Sequence, residues 1–366
     1  MSSSFPSHTD DTQEDWATAK RIAEKIGYLP AFFPRAVRTL IHDHHDASGY
    51  LRPVTKYQIA QLLKIQSFRA MLYFAALQMR KEKLKSEKAV TTGSLIDLFD
   101  PIDLASLIGA FVYYRRARKV LSNSQWDYIR EDFHIVAQVG STLGASIPAI
   151  GISAGILIGT MRMVGLTALV SADEKAFKEY RRHLRQKNLR YDLSKEKELY
   201  ECTSEQIGVL AISKMGFGIP IGQAFRDAYK SEQNLTLIKD PLTLRMSITR
   251  FWMDHLLYGN IAPIIDIPEK YYPAHTEENS LLEEVQEVLD GKVGWISRGR
   301  DDISEKTTPL LFKPVKTSED LPEQFTDIFS LEQITDMEEE DFDDLIDHLD
   351  EEQEAQFRSD VEDAIE

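Results

Sequence analysis

The sequence predicts an all-α protein, a helical bundle followed by a C-terminal extension and an acidic tail. Two observations carry that reading. No stretch before residue 262 shows the apolar–polar alternation of a half-buried strand, whereas apolar residues recur three and four apart in segment after segment. The second is the segment 147–170, IPAIGISAGILIGTMRMVGLTALV, the most hydrophobic window in a chain that is 28% charged. About fifteen residues pass before its first charge, Arg162, short of the ~20 needed to span a bilayer. Gly151, Gly155 and Gly159 recur every fourth residue and strip one helix face of side chains. The segment is therefore expected as a buried central helix, closely approached by a neighbour and not inserted in a membrane.

The elements follow in order. Residues 1–17 are expected as a disordered N-terminus, although Thr12 is also a candidate cap for a helix that Gly27 closes, with Trp16, Ile22, Ala23 and Ile26 inward. The turn YLPAFFP leads into a helix with Pro34 in its first turn and Val37, Leu40 and Ile41 on its face. HDHHDASGY, residues 42–50, ends that helix and supplies a loop. Thr55 with Gln58 reads as a capping box, and Ser67 as the next cap. Residues 85–100 read as a polar connection, and residues 102–121 as a helix ending in YYRRARKV. Ser124 is the expected cap of a long helix with Trp126, Ile129, Phe133, Val136, Gly140 and Leu143 at helical spacing. Beyond the apolar centre a charged helix covers residues 172–187. Thr203 with Gln206 caps another, Gly216 or Gly218 stops it, and Pro220 restarts the chain. A last amphipathic helix carries Leu244, Ile248, Phe251, Trp252 and Leu256. Residues 263–318 read as a linker or partly ordered extension with one short helix near 281–289, and residues 319–366 as the acidic tail.

Charge is unevenly placed. From Ser318 onward the chain has 21 acidic residues and one basic residue, Arg358, a balance of −20 against −16 for the whole, so the body is +4. The tail keeps Phe342, Leu345, Ile346, Leu349, Phe357, Val361 and Ile365, which gives it amphipathic helical potential and the character of an interaction arm. A single cysteine, Cys202, excludes an internal disulfide framework and Cys-based zinc motifs. The polar, acidic start MSSSFPSHTDDTQED carries no secretory signal, and the expected location is cytoplasmic.

Four stretches within residues 18–262 resemble the HDOD domain, a helical, regulatory relative of metal-dependent HD phosphohydrolases. LPAFFPRAVRTLI is similar to that family's opening Leu-Pro turn and helix, and EDFHIVAQVGSTLG to its helix with a histidine before a Val-Ala pair. AGILIGTMRMVGL resembles the core segment that in the catalytic relatives holds a His-Asp doublet. SEQIGVLAISKMGFGIPIGQAFRDA resembles the segment running from His-x-x-Val-Gly through Gly-Leu-Pro to an Ala-Ile helix. The resemblance implies a helical domain acting in signal transduction. It also assigns the metal-ligand positions to Asp132, Ile158, Gly159 and Ser204, with Ala228 and Tyr229 where paired histidines would follow. Isoleucine and glycine side chains offer a cation no donor, so no metal, no cofactor and no hydrolytic reaction are expected there. These six positions are instead a candidate pocket for a ligand or partner.

Other features allow sharper and plainer readings. His42, His44 and His45 with Asp43 and Asp46 could gather a metal by i, i+3 and i+4 spacing, or simply form a solvated helix end favoured by the helix dipole, which is preferred. His134, beside an inner helix face, reads as a satisfied, partly buried histidine. Two basic runs supply a candidate docking surface, Arg115, Arg116 and Arg118 in one and Arg181, Arg182 and Arg185 in the other. Phosphate contact is one use, docking of the acidic tail another, and with no readout module nucleic acid is disfavoured. Cys202 stands at a helix start, where a thiol's pKa can fall, but no partner points to reactivity. The reading that joins these points is a non-catalytic HDOD-like scaffold that binds a protein partner or small ligand, with the acidic tail as adaptor or autoinhibitory arm. The alternatives are a phosphohydrolase with a relocated site at the histidine cluster and a nucleic-acid-binding regulator.

Overall fold

In the structure, a computed structural model, residues 12–298 are described apart from 48, 64, 87–90, 231–234 and 275–277. Every regular element among them is helical. Helix α1 (Gln13–Ala23) opens with a full capping box, in which Thr12 accepts from the Asp15 amide and Asp15 accepts from the Thr12 amide. The capped helix therefore covers residues 13–17 of the stretch expected to be disordered, because the cap satisfies the first amides. Residues 1–11 and the whole acidic tail lie outside the described residues.

Helix α2 (Phe32–Asp46) carries Pro34 in its first turn, takes in the histidine cluster and ends within residues 42–50, at Asp46. Helix α3 (Pro53–Leu62) starts at Pro53 after the extended Arg52, two residues ahead of the expected Thr55 cap, since proline at the first helical position lacks only an amide that has no intrahelical partner anyway. Helix α4 (Gln66–Met79) likewise starts before Ser67. Helix α5 (Lys81–Ser86) runs into the start of the expected polar connection, and α6 (Thr92–Asp97), capped by Thr91, lies within it. Helix α7 (Pro101–Val120) comes as read from the sequence, and α8 (Asn123–Ser146) is capped by Ser122 with Gln125, not by Ser124.

At the centre, α9 (Ile152–Ala172) is apolar around its axis apart from Arg162, and 94% of its most apolar eighteen-residue window is buried inside the protein. Gly151 itself precedes the helix with φ +80°, a backbone conformation that L side chains rarely adopt. The chain between 147 and 151 is thus a turn, because Gly151 ends one backbone direction and starts the next. The glycine face meets the end of α8. A Cβ on Gly155 would stand 2.7 Å from the Gly140 carbonyl carbon, and one on Gly144 2.6 Å from that of Gly151. Backbone-to-backbone approach of this kind is open only to glycine.

Around this pair lie α10 (Glu174–Lys187), α11 (Leu193–Tyr200), α12 (Ser204–Met215), α13 (Ile219–Lys230) and α14 (Pro241–Gly259). The short α11, unexpected from its charged sequence, is held by the Asp192 cap and by Glu196, whose side chain is fully buried. Helix α12 keeps its Thr203–Gln206 capping box and its Gly216 stop. Helix α15 (Glu278–Leu289) and the following turn pack back on the bundle. Val285 and Trp295 are buried, the Trp295 indole donates to Ser141 Oγ at 3.0 Å, and the Gly294 amide donates to His134 Nε2 at 2.5 Å. Apolar burial against α8, not the linker-like composition, decides where residues 278–298 go.

Candidate functional site

The candidate site is a pocket of about 390 Å³ walled by α8, α9, α10, α13, α14 and the chain between α10 and α11. Helical spacing builds each wall. On α8, Ile129, Asp132 and Val136 are three and four apart; on α9, Ile158, Gly159, Arg162 and Leu166 share a face; on α10, Phe177, Arg181 and Arg185 are each four apart. Helix α14 adds Arg250, Asp254 and Leu257 in the same way.

The floor is polar and tightly partnered. Arg250 Nη1 donates to the Tyr191 hydroxyl at 2.9 Å and to Asp254 Oδ2 at 3.1 Å, and Tyr191 donates to the same carboxylate at 3.0 Å. Arg162 lies over the Tyr191 ring with its Cζ 4.7 Å from the centroid, and its Nη1 is 3.5 Å from Glu196 Oε1. Glu196 also accepts from Tyr180 Oη and from the Ser204 amide, each at 2.6 Å. A buried carboxylate is tolerable there because three donors converge on it. Burial opposes the charge on Arg162, but Tyr180 and Glu196 outweigh it and hold the guanidinium protonated above its usual range. Burial likewise pushes the Tyr191 phenol up to about 12, so it stays neutral and can donate to Asp254. Desolvation raises Asp254 against the pull of Arg250.

The mouth is different. Asp132 is open to water in the concavity, yet protein on several sides desolvates its carboxyl and raises its pKa, with Arg181, Arg190 and Arg162 pulling the other way. Arg181 donates one N–H to the Tyr128 carbonyl at 2.6 Å, and Arg190 one to that of Leu257. Arg185 is exposed at the rim.

Of the six positions singled out by the family resemblance, Asp132, Ile158, Gly159 and Tyr229 line this one pocket. Tyr229 donates to the Ile158 carbonyl at 3.1 Å, which ties α13 to α9 beside it. Ser204 and Ala228 are buried but are not on its wall. Ser204 is drawn away by close packing, since its carbonyl lies against Gly165, while Ala228 is sealed in the core. The side chains present do not suit a divalent cation. Ile158 and Gly159 supply no donor, and no group of three or more His, Cys, Asp or Glu is placed to share an ion among the described residues.

The docking surface needs correction. Arg115 is buried with its guanidinium over Phe111, and Arg116 donates to the Ile26 carbonyl at 2.9 Å, so both serve packing instead of a solvent face. Only Arg118 of that run is exposed, and the aromatics Tyr113 and Tyr114 are buried. In the second run Arg182 is exposed outside the pocket, whereas Arg181 and Arg185 belong to its mouth. The histidine cluster forms local polar contacts around Arg52, whose Nη2 lies 2.5 Å from His42 Nδ1. His42 pairs with Asp46 at 2.9 Å, buried Asp43 binds Arg52, and His44 is half-buried against His45. Cys202 is fully buried, and burial, reinforced by Glu196 and Asp15, pushes its thiol up to about 12.

Sequence reading missed Arg162, Glu196, Tyr191, Arg190, Arg250 and Asp254 as site residues. Two signals were available. Arg162 is the single charge inside the most apolar segment, and Arg250 with Asp254 is an i, i+4 pair on a helix otherwise read for its apolar face. No family model, no curated protein and no solved structure matches the chain.

Proposed function

We propose that this chain is a non-catalytic, HDOD-like regulatory domain that recognises a small ligand, or a group presented by a protein partner, in the pocket between α8, α9, α10 and α14. One observation carries the reading. Where a hydrolytic relative would need cation-binding side chains, the pocket wall has Ile158 and Gly159, while arginines and tyrosines occupy the surrounding positions. Guanidinium and phenol groups bind and orient; they do not hold a metal that activates water. The pocket's size and its mixture of apolar wall and few convergent polar groups are those of a small-molecule site. The acidic tail, at −20 against a body at +4, has the charge to compete for the same basic mouth, which would make it an autoinhibitory arm.

The test uses the purified full chain in thermal unfolding with small anionic and neutral metabolites, each with and without Mg²⁺ or Mn²⁺, alongside phosphodiesterase and phosphatase assays. Stabilisation by a ligand without turnover is expected, worth about 2.7 kcal/mol at a hundred times its Kd. Metal-dependent turnover that disappears in His42→Ala would establish the relocated phosphohydrolase instead.

A further inference from the structure

The charge at the pocket mouth narrows the ligand, granted that the pocket is a ligand site. In the floor, Asp254 pairs with Arg250 and Glu196 with Arg162, so those four charges are matched. What remains around the opening is Arg181, Arg185 and Arg190 against Asp132. Three positive charges and one negative leave two positive charges facing a concave, partly dehydrated space. The known contacts of Arg181 and Arg190 each use one N–H, out of the five that a guanidinium carries. Arg181 and Arg185 are one helical turn apart on α10, and Arg190 follows the turn that ends it, where Asn188 takes a left-handed conformation. Three guanidinium side chains lining one pocket, two of them acting electrostatically on Asp132, suit an acceptor with three oxygens. A carboxylate offers two oxygens and one negative charge, whereas a phosphoryl group offers three oxygens and more charge for several guanidiniums to share. A phosphate monoester carries about −1.5 to −2 near neutral pH, which matches the excess. Below the mouth, the wall between Val136, Met163, Leu166 and Met253 is apolar and holds no second basic cluster without a partner.

We propose that the pocket binds a small phosphate monoester, its phosphoryl group held at the mouth by Arg181, Arg185 and Arg190 and its organic body against the apolar wall. Asp132 then works against the ligand's charge and limits affinity, so its replacement strengthens binding. That sign distinguishes the proposal from a site for an amine or a zwitterion, for which Asp132 would be the main attachment.

The experiment is calorimetric titration of the full-length protein with phenyl phosphate, inorganic phosphate, benzoate and benzyl alcohol. Phenyl phosphate should bind saturably and at least tenfold more tightly than either benzoate or benzyl alcohol, with inorganic phosphate between. Arg185→Gln, a change at an exposed side chain, should weaken phenyl phosphate about fivefold or more, and Asp132→Asn should tighten it about threefold. Circular dichroism of both variants checks that the fold is kept. Weaker binding in Asp132→Asn, or unchanged binding in Arg185→Gln, overturns the proposal. Saturable binding of benzoate or benzyl alcohol alone overturns it while leaving the pocket a ligand site; no binding in any arm removes both.

Discussion

Replacing Gly155 by alanine tests the contact on which the pocket's geometry rests. The new Cβ would stand 2.7 Å from the carbonyl carbon of Gly140 and nearer still to its oxygen. Ordinary contact begins near 3.4 Å, so α8 and α9 must part by at least about 0.7 Å at their crossing. Both sides of that contact are backbone, so no side chain can rotate out of the way. Overpacking of this kind costs roughly 1–3 kcal/mol and occasionally more, and a clash with backbone belongs at the upper end. Alanine's better helix propensity returns about 1 kcal/mol. A net loss of about 2 kcal/mol is expected. Gly93→Ala is the control, because its Cβ would meet only Thr91 Oγ1, at 3.8 Å, on an exposed turn of α6. Urea unfolding followed by far-ultraviolet circular dichroism reads both. A Gly155→Ala midpoint equal to that of the parent within error would show that α8 and α9 are not in backbone contact there.

Three further outcomes follow from the same structure. Glu196→Ala removes the acceptor for Tyr180, the Ser204 amide and Arg162 and strands a buried guanidinium, which should cost about 3–5 kcal/mol; a loss below 1 kcal/mol in the same assay contradicts the described network. Asp103, raised to about 6 by burial despite Arg80, binds its proton more tightly folded than unfolded. Its contribution to stability is therefore greatest at low pH and is lost as pH rises from about 4 to 6, by up to about 3 kcal/mol. The stability of Asp103→Asn relative to the parent should rise across that window and level off above it, and a flat difference from pH 4 to 7 argues against the assignment. Finally, native Cys202 should resist a thiol-exchange reagent at pH 8 and react fully in denaturant, as expected for a fully buried thiol pushed up to about 12; rapid labelling of the folded protein would place it at the surface.

Much of the fold was legible because helices are specified locally. Thr12, Thr203 and Gly216 announce helix ends by hydrogen bonds within four residues, and the spacing of Gly151, Gly155 and Gly159 announces a close crossing. Where the reading slipped, at α3 and α4, the capping residues Arg52 and Ile65 make no side-chain cap bond and so leave no capping signal, while at α8 the box is made by Ser122 with Gln125 and not by Ser124. The charged α11 gave no local apolar pattern, since the buried Glu196, the Asp192 cap and Tyr200 anchor it. The candidate site was legible only in part. Asp132, Ile158, Gly159 and Tyr229 came from a family pattern, but Arg190, Tyr191, Arg250 and Asp254 lie far from them along the chain and are joined by nothing a spacing rule can detect.

The sequence alone determined the helical class, the apolar central helix, the glycine face that lets another helix touch it, and the missing donors at Ile158 and Gly159. These depend on residue type and on neighbours within a few positions. Tertiary structure alone decided which charges are matched and which face an open cavity. It buried Arg115 and tied down Arg116, paired Arg250 with Asp254 and Arg162 with Glu196, and left Arg181, Arg185 and Arg190 around Asp132. Whether a charge is neutralised depends on distances across the bundle, and those distances exist only once the helices have packed.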